Sequence, residues 1–365
     1  MATDLSGMEK ILVRVPNWVG DAVLALPALN ALRTRFPDAE IVVLARPWVA
    51  ELYRPHQAVV SPASRILIFD HQGCHRGLAG LRRLAAELRR EWFDLAVLFQ
   101  NAFQAALLTA WAGIGRRVGY RRDGRGWLLT QPIAVPRAGE TAPHETFYYL
   151  ELLRRAGLLD TLPGVEHIRL IPDPQLVGVM EARLRTLAIG NDRLRVVLAP
   201  GAAYGSAKCW LPERYAALAD RLAENFGAAI LLCGTPAEAG LAERITAAMR
   251  TGAVSLVGQV SLGEYLALLA TAHLFIGNDS GAMHLAAGVG LPQVILFGPT
   301  DEAGTGPVNP RARVVKHPVS CSPCFLRYCP IDHRCMTRIT VDDVWQAVEA
   351  VLGSSGAVAE KSDAH

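Results

Sequence analysis

Apolar residues in the first 160 positions fall into two kinds of run. Short β-branched blocks at Ile11–Val15, Ile41–Ala45, Ile66–Phe69, Leu95–Phe99 and Ile133–Val135 lack alternation, as strands buried on both faces do. Between them, Asp21–Arg35, Gly77–Glu91, Phe103–Ala112 and His144–Ala156 repeat apolar positions at helical spacing. This alternation predicts a parallel sheet with helices on both sides. The pattern lapses from Leu159 to Pro174, a stretch holding Pro163, Pro172 and Pro174, and then restarts. Its second set of strands is Val196–Ala199, Ala229–Cys233, Ser255–Val257, His273–Ile276 and Val294–Phe297, with helices opening near Pro212, Pro236, Leu262 and Ser280. The expectation is two doubly wound α/β domains, 1–160 and 175–353, joined by a linker at 161–174 and facing each other across a cleft. The small, polar residues 354–365 read as a frayed tail.

Composition narrows the class. A chain of 365 residues with 51% hydrophobic and 19% charged residues is globular, and its length suits two cores. A net charge of +3 is too small to argue for nucleic acid. The first 165 residues nevertheless carry five positive charges in excess, concentrated in Arg82, Arg83, Arg89, Arg90 and in Arg116, Arg117, Arg121, Arg122 and Arg125. That run reads either as a solvated face or as a surface meeting an anionic acceptor or membrane headgroups. No stretch reaches the ~20 apolar residues that span a bilayer, and Met1–Lys10 lacks the apolar core of a signal peptide. A cytoplasmic protein with reduced or metal-bound cysteines is the expectation.

Candidate chemistry sits where ligands bind in such sheets, beyond the carboxyl ends of strands. Pro16-Asn17-Trp18-Val19-Gly20-Asp21 follows the first strand; Asp21 is either a helix-capping carboxylate or a general base. Gly201 through Trp210 follows the first strand of the second half. Its Lys208, one of only four lysines, suits a phosphate as a flexible point charge, or is simply solvated. Asn278-Asp279-Ser280-Gly281 opens a helix. Ser280 reads as its N-cap, the first-turn N–H groups suit phosphate oxygens, and Asp279 suits the hydroxyls of a sugar attached to that phosphate. His284 lies one turn on, as a donor contact or a core histidine. Neither a P-loop nor a complete dinucleotide fingerprint occurs, since Gly113-x-Gly115 and Gly288-x-Gly290 follow helical patterns. Cys321, Cys324, Cys329 and Cys335 fall within fifteen residues, a spacing that points to a structural zinc or, second, an iron, with free thiols as the alternative.

Taken together, these motifs resemble the lipopolysaccharide heptosyltransferases of glycosyltransferase family 9. The resemblance is carried by Pro16 to Asp21, Asn101-Ala102-Phe103 with Ala112-Gly113-Ile114, Gly201 to Trp210, Asn278 to His284, and Phe297-Gly298-Pro299-Thr300. It implies a GT-B fold and inverting transfer of L-glycero-D-manno-heptose from ADP-heptose to the first heptose of the lipopolysaccharide inner core. That acceptor would still be attached to Kdo and lipid A, at the inner face of the membrane. By position, Asp21 matches the family's base, Lys208 its pyrophosphate ligand, and Asp279 the carboxylate on the heptose hydroxyls. Ser280, Gly281 and His284 match donor contacts, Glu238 resembles the acid on the adenosine ribose, and Thr300 joins Lys208 at the leaving diphosphate. The resemblance implies no catalytic metal, and no Asp-x-Asp motif is present. Rival readings keep the donor but change the acceptor to a protein hydroxyl, or make the chain a non-catalytic sensor of nucleotide sugars.

Overall fold

The computed structural model describes residues 7–54 and 62–354, in two compact units that meet in sequence at Val165 and Glu166. Of the tail expected at 354–365, Ser354 ends the helix Val341–Ser354 and residues 355–365 lie outside the described residues. The first unit is a six-stranded parallel sheet: β1 (Lys10–Arg14), β2 (Glu40–Ala45), β3 (Arg65–Ile68), β4 (Leu95–Leu98), β5 (Arg116–Tyr120) and β6 (Gln131–Ile133), in the order β3-β2-β1-β4-β5-β6. The second is β7 (Arg195–Ala199), β8 (Ala229–Leu232), β9 (Val254–Ser255), β10 (Leu274–Asn278), β11 (Gln293–Phe297) and β12 (Ala312–Lys316), in the order β12-β11-β10-β7-β8-β9. Reversing that second order gives the same winding as the first. The chain therefore builds one topology twice, and each sheet reverses direction beside its first strand, at β1/β4 and at β7/β10.

The strands form where the apolar blocks were read, because a sheet covered on both faces buries every position. Ile11 to Val13, Val42 to Ala45 and Leu95 to Leu98 are fully enclosed, as are Val196 to Leu198 and Leu274 to Ile276. Two strands escaped the pattern. β5 opens on Arg116 and Arg117, so the arginine run is not simply a solvated face: Val118 and Tyr120 are buried, and the Arg125 guanidinium is enclosed, donating to Tyr120 O at 3.0 Å and Asn101 Oδ1 at 3.1 Å. β12 is an edge strand with Arg313, Val314 and Lys316 exposed, too mixed to read as a buried block.

Other local differences have simple causes. The helix read as Asp21–Arg35 is two, Val19–Leu24 and Leu26–Arg35, with Pro27 at the start of the second. Within the proline-bearing stretch, Ile168 and Leu170 are buried, and Leu170 N donates to Gly288 O at 2.8 Å. A helix then begins at Pro174, capped by the Asp173 carboxylate accepting from Gln175 N.

Asn278 ties the second switch point together. This fully buried amide accepts from Trp210 N at 3.2 Å and from Tyr215 Oη at 3.0 Å, and donates to Pro200 O at 2.7 Å. It thereby fixes the end of β10 against the loop leaving β7. Asn278→Ala orphans three buried partners, and we expect it to lower the unfolding free energy by about 2–4 kcal/mol in a denaturant titration; a loss within about 0.5 kcal/mol contradicts this role.

Candidate active site

The loop after β7 and the turn after β10 converge on one contact. Lys208, at the end of a short 3-10 turn (Ser206–Lys208), points its ammonium at Asp279 Oδ2, 2.5 Å away, and both side chains are largely buried. Thr300 Oγ1, from the loop after β11, donates to the same oxygen at 2.6 Å. Three of the residues singled out from sequence thus form one cluster. Lys208 and Thr300, expected at a diphosphate, are here engaged with Asp279. A buried cation and anion held this closely neutralise each other, and any ligand that binds both must offer each a better partner.

Ser280 precedes the helix Gly281–Gly288 in the N-cap position, but its hydroxyl makes no capping bond. Its Oγ is buried without a hydrogen-bond partner in the protein. The expected capping chemistry is therefore absent, and a polar atom is left over beside the helix's open N–H groups, where anions bind. Met283 and His284 are buried near that end. Glu238 closes another edge: its Oε2 accepts from Thr235 N at 2.6 Å and Thr235 Oγ1 at 2.9 Å. Its Oε1 lies 1.6 Å from where a Cβ on Gly201 would stand, so only glycine admits this approach. Glu238 thus joins the ends of β7 and β8.

The cysteine-rich segment packs on the Lys208 loop. Ala207 N donates to Arg327 O at 3.0 Å, Tyr204 Oη to Phe325 O at 2.7 Å, and His333 Nε2 meets Ala207 O at 2.7 Å. The Tyr204 ring carries the Lys208 ammonium and the Arg327 guanidinium, each 5.1 Å from its centroid. Among the described residues, no group of three or more His, Cys, Asp or Glu side chains is placed to hold a metal ion. Cys321 and Cys324 are exposed, whereas Cys335 packs in the core beside Gly298. Burial and then the neighbouring thiols push the Cys335 thiol up to about 11. The segment's visible work is to brace the Lys208 loop.

In the first unit, Asp21 lies in the first turn of Val19–Leu24, with Trp18 at the cap position. It is therefore not the N-cap, though the helix N-terminus still favours its anion. The helix Glu145–Arg155 packs against this one and brings Glu145 near Asp21. Burial, and then the charge of Asp21, push the Glu145 carboxyl up to about 7. Glu145 and Tyr148 line a cavity of about 430 Å³ with Arg137, Thr141 and His144. Tyr148 Oη accepts from Asn101 Nδ2 at 3.0 Å, which gives the Asn101 motif a place at the β1/β4 switch point. Sequence reasoning missed Glu145 and Tyr148, because only helix packing sets Glu145 beside Asp21 and Tyr148 beside Asn101. Asn278 and Tyr204 lay within recognised motifs but were given no role.

The model of glycosyltransferase family 9 (heptosyltransferase) matches residues 81–334. The chain belongs to this family. It is 30% identical over 316 residues to lipopolysaccharide heptosyltransferase 2 of Escherichia coli K12, covering 84% of this chain and 88% of that protein. The solved structure of the E. coli ADP-heptose LPS heptosyltransferase II superposes with a TM-score of 0.78 at 25% identity, covering 95% of this chain and 99% of that one. A family 9 glycosyltransferase from Veillonella parvula gives a TM-score of 0.84 at 20% identity, with 95% and 98% covered. The fold is therefore GT-B, and the enzyme is a heptosyltransferase.

The buried pair makes a sign-specific prediction for this heptosyltransferase. Lys208→Ala strands the Asp279 carboxylate and should destabilise the fold by about 3 kcal/mol. Adding Asp279→Asn to the same chain should restore most of that stability without restoring ADP affinity. Denaturant unfolding and calorimetric ADP titration check both halves; a double variant no more stable than the single one contradicts the pairing.

Proposed function

We propose that this heptosyltransferase works in lipopolysaccharide core assembly, as heptosyltransferase II does. It transfers heptose from ADP-heptose, with inversion, to the first heptose of an inner core carrying Kdo and lipid A. The observation that carries this reading is the Lys208–Asp279–Thr300 contact beside an unpartnered Ser280 hydroxyl and an open helix N-terminus. An ADP-sugar supplies what each group lacks. Its diphosphate takes Lys208 and the amides of the helix N-terminus, which frees Asp279 to accept from heptose hydroxyls. Glu238 serves the ribose, and His284 and Gly281 complete the donor contacts. Support at the level of the reaction comes from the likeness to lipopolysaccharide heptosyltransferase 2 over 84% of this chain and 88% of that protein.

Chemistry then needs one proton taken and one charge stabilised. Asp21 accepts the proton of the acceptor hydroxyl as its oxygen attacks the anomeric carbon from the face opposite ADP. The carbon–oxygen bond to the diphosphate breaks, and the charge left on ADP meets Lys208 and the helix N–H groups, donors already held in place. Stabilisation of the leaving group thus falls to protein cations and amide dipoles. No helix among the described residues is long and apolar enough to cross a membrane. An acceptor anchored in a bilayer is on this reading met at the bilayer's surface.

Two outcomes are expected. Asp21→Asn should lower kcat by about a thousandfold or more, within the span of general-base catalysis, and leave the Kd for ADP-heptose within about threefold; a comparable loss of donor affinity assigns Asp21 to structure instead. Adjacent carboxylates titrate as a pair. Below about 7 Glu145 holds its proton, and above it the ionised Glu145 makes Asp21 a stronger base. Turnover with heptose-terminated lipopolysaccharide should therefore climb as pH rises through about 7, and Glu145→Gln should erase that inflection. A profile unchanged by Glu145→Gln contradicts the coupling.

A further inference from the structure

Beside the Asp21 loop, the first unit buries a cation with two unpaired donors. Arg46 stands at the N-cap position of the short helix Pro47–Ala50 and is only 8% exposed, yet among the described residues its Nε and Nη1 have no hydrogen-bond partner. Buried guanidinium donors are costly to leave unmet, so the omission calls for an explanation. Arg14, the neighbouring guanidinium, is spent within the protein: Nη1 donates to Val15 O at 2.5 Å and Nη2 to Asn17 Oδ1 at 2.5 Å. Its charge and that of Arg46 repel, and Asp70 is the carboxylate that faces Arg46.

The surroundings are those of a carbohydrate site. The Arg46 guanidinium lies 4.2 Å from the Phe69 ring and 5.9 Å from that of Trp48. Trp48 is 45% exposed, Trp18 51%, and the buried His71 Nδ1 also lacks a partner. Trp48 and His71 meet edge to face with centroids 5.4 Å apart. The whole group is moored to the catalytic loop, because Trp48 Nε1 donates to Asn17 O at 2.7 Å. Exposed indoles supply flat apolar faces for sugar rings, and a few buried polar groups beside them fix orientation.

We infer that Arg46, Trp48 and His71 form a subsite for an anionic sugar of the acceptor, its ring on the indole and its carboxylate or phosphate on the guanidinium and imidazole. This rests on the proposed acceptor and extends it: recognition reaches past the attacked heptose to an acidic neighbour. Two guanidinium donors remain unpaired until substrate arrives, which trades stability for binding.

The test uses the full chain. Arg46→Gln should raise the KM for heptose-terminated lipopolysaccharide about tenfold or more, the scale of a lost charged hydrogen bond. KM for ADP-heptose should stay within about twofold, and Tm should hold or rise, since a buried unmet charge is gone. Trp48→Ala, which leaves Arg46 in place, should raise the same acceptor KM. Acceptors with and without core phosphate distinguish the two anions by which one loses the Arg46 dependence. If both variants keep the wild-type acceptor KM, the subsite is wrong while the transferase reading stands. If the wild type transfers no heptose to this acceptor, the transferase reading falls, and the subsite is judged by tryptophan quenching. Quenching by glucuronate or glucose 6-phosphate but not glucose, lost in Arg46→Gln, sustains it; equal quenching by glucose overturns it.

Discussion

A buried lysine and aspartate, 2.5 Å apart, are the constraint around which the second unit is arranged. Removed from water, neither is stable alone, so the backbone on both sides must hold them in register. Asn278 pins the end of β10 to the loop leaving β7, Thr300 supplies a second donor to the aspartate, and the cysteine-rich segment braces the lysine loop from behind. On the proposed function the pair also makes the site selective: a bare phosphate would satisfy Lys208 but strand Asp279, whereas a sugar diphosphate would satisfy both.

Topology explains why the two chemical roles fall where they do. Each six-stranded sheet has the same order and changes direction once, beside its first strand. Side chains from two separate loops reach a common point only there. In one unit that place holds Asp21 and the Asn101–Tyr148 bond; in the other it holds Lys208 and Asp279. The proposed base and the Lys208–Asp279 pair thus stand at the same local device, used twice.

Much of this was legible before any coordinates, for definite reasons. Seven of the strands, β1, β2, β4, β7, β8, β10 and β11, are buried and largely apolar, and the loops after β1, β7 and β10 carry Asp21, Lys208 and Asp279 at short, readable offsets. β5 was hidden because its first two residues are arginines, with Arg117 folding back to donate to Leu128 O at 2.8 Å. Ser280 had the right residue type and position for a cap, but its hydroxyl is withheld from the helix, which no pattern of residue types records. Glu145, Arg46 and Trp48 depend on which helix or strand end packs beside the Asp21 loop, information carried by the fold and not by spacing. The four cysteines show the limit of spacing in another way: it does not record that Cys335 packs in the core while Cys321 and Cys324 face solvent.

The central claim is that the closed Lys208–Asp279 contact opens onto the two halves of a nucleotide sugar. A crystal structure of the full chain with a non-transferable ADP-heptose analogue tests it most directly. The account requires the Lys208 ammonium on a diphosphate oxygen and an Asp279 oxygen on a heptose hydroxyl, with Ser280 Oγ no longer unpartnered. A complex in which the ammonium stays on Asp279 while the diphosphate sits elsewhere contradicts it.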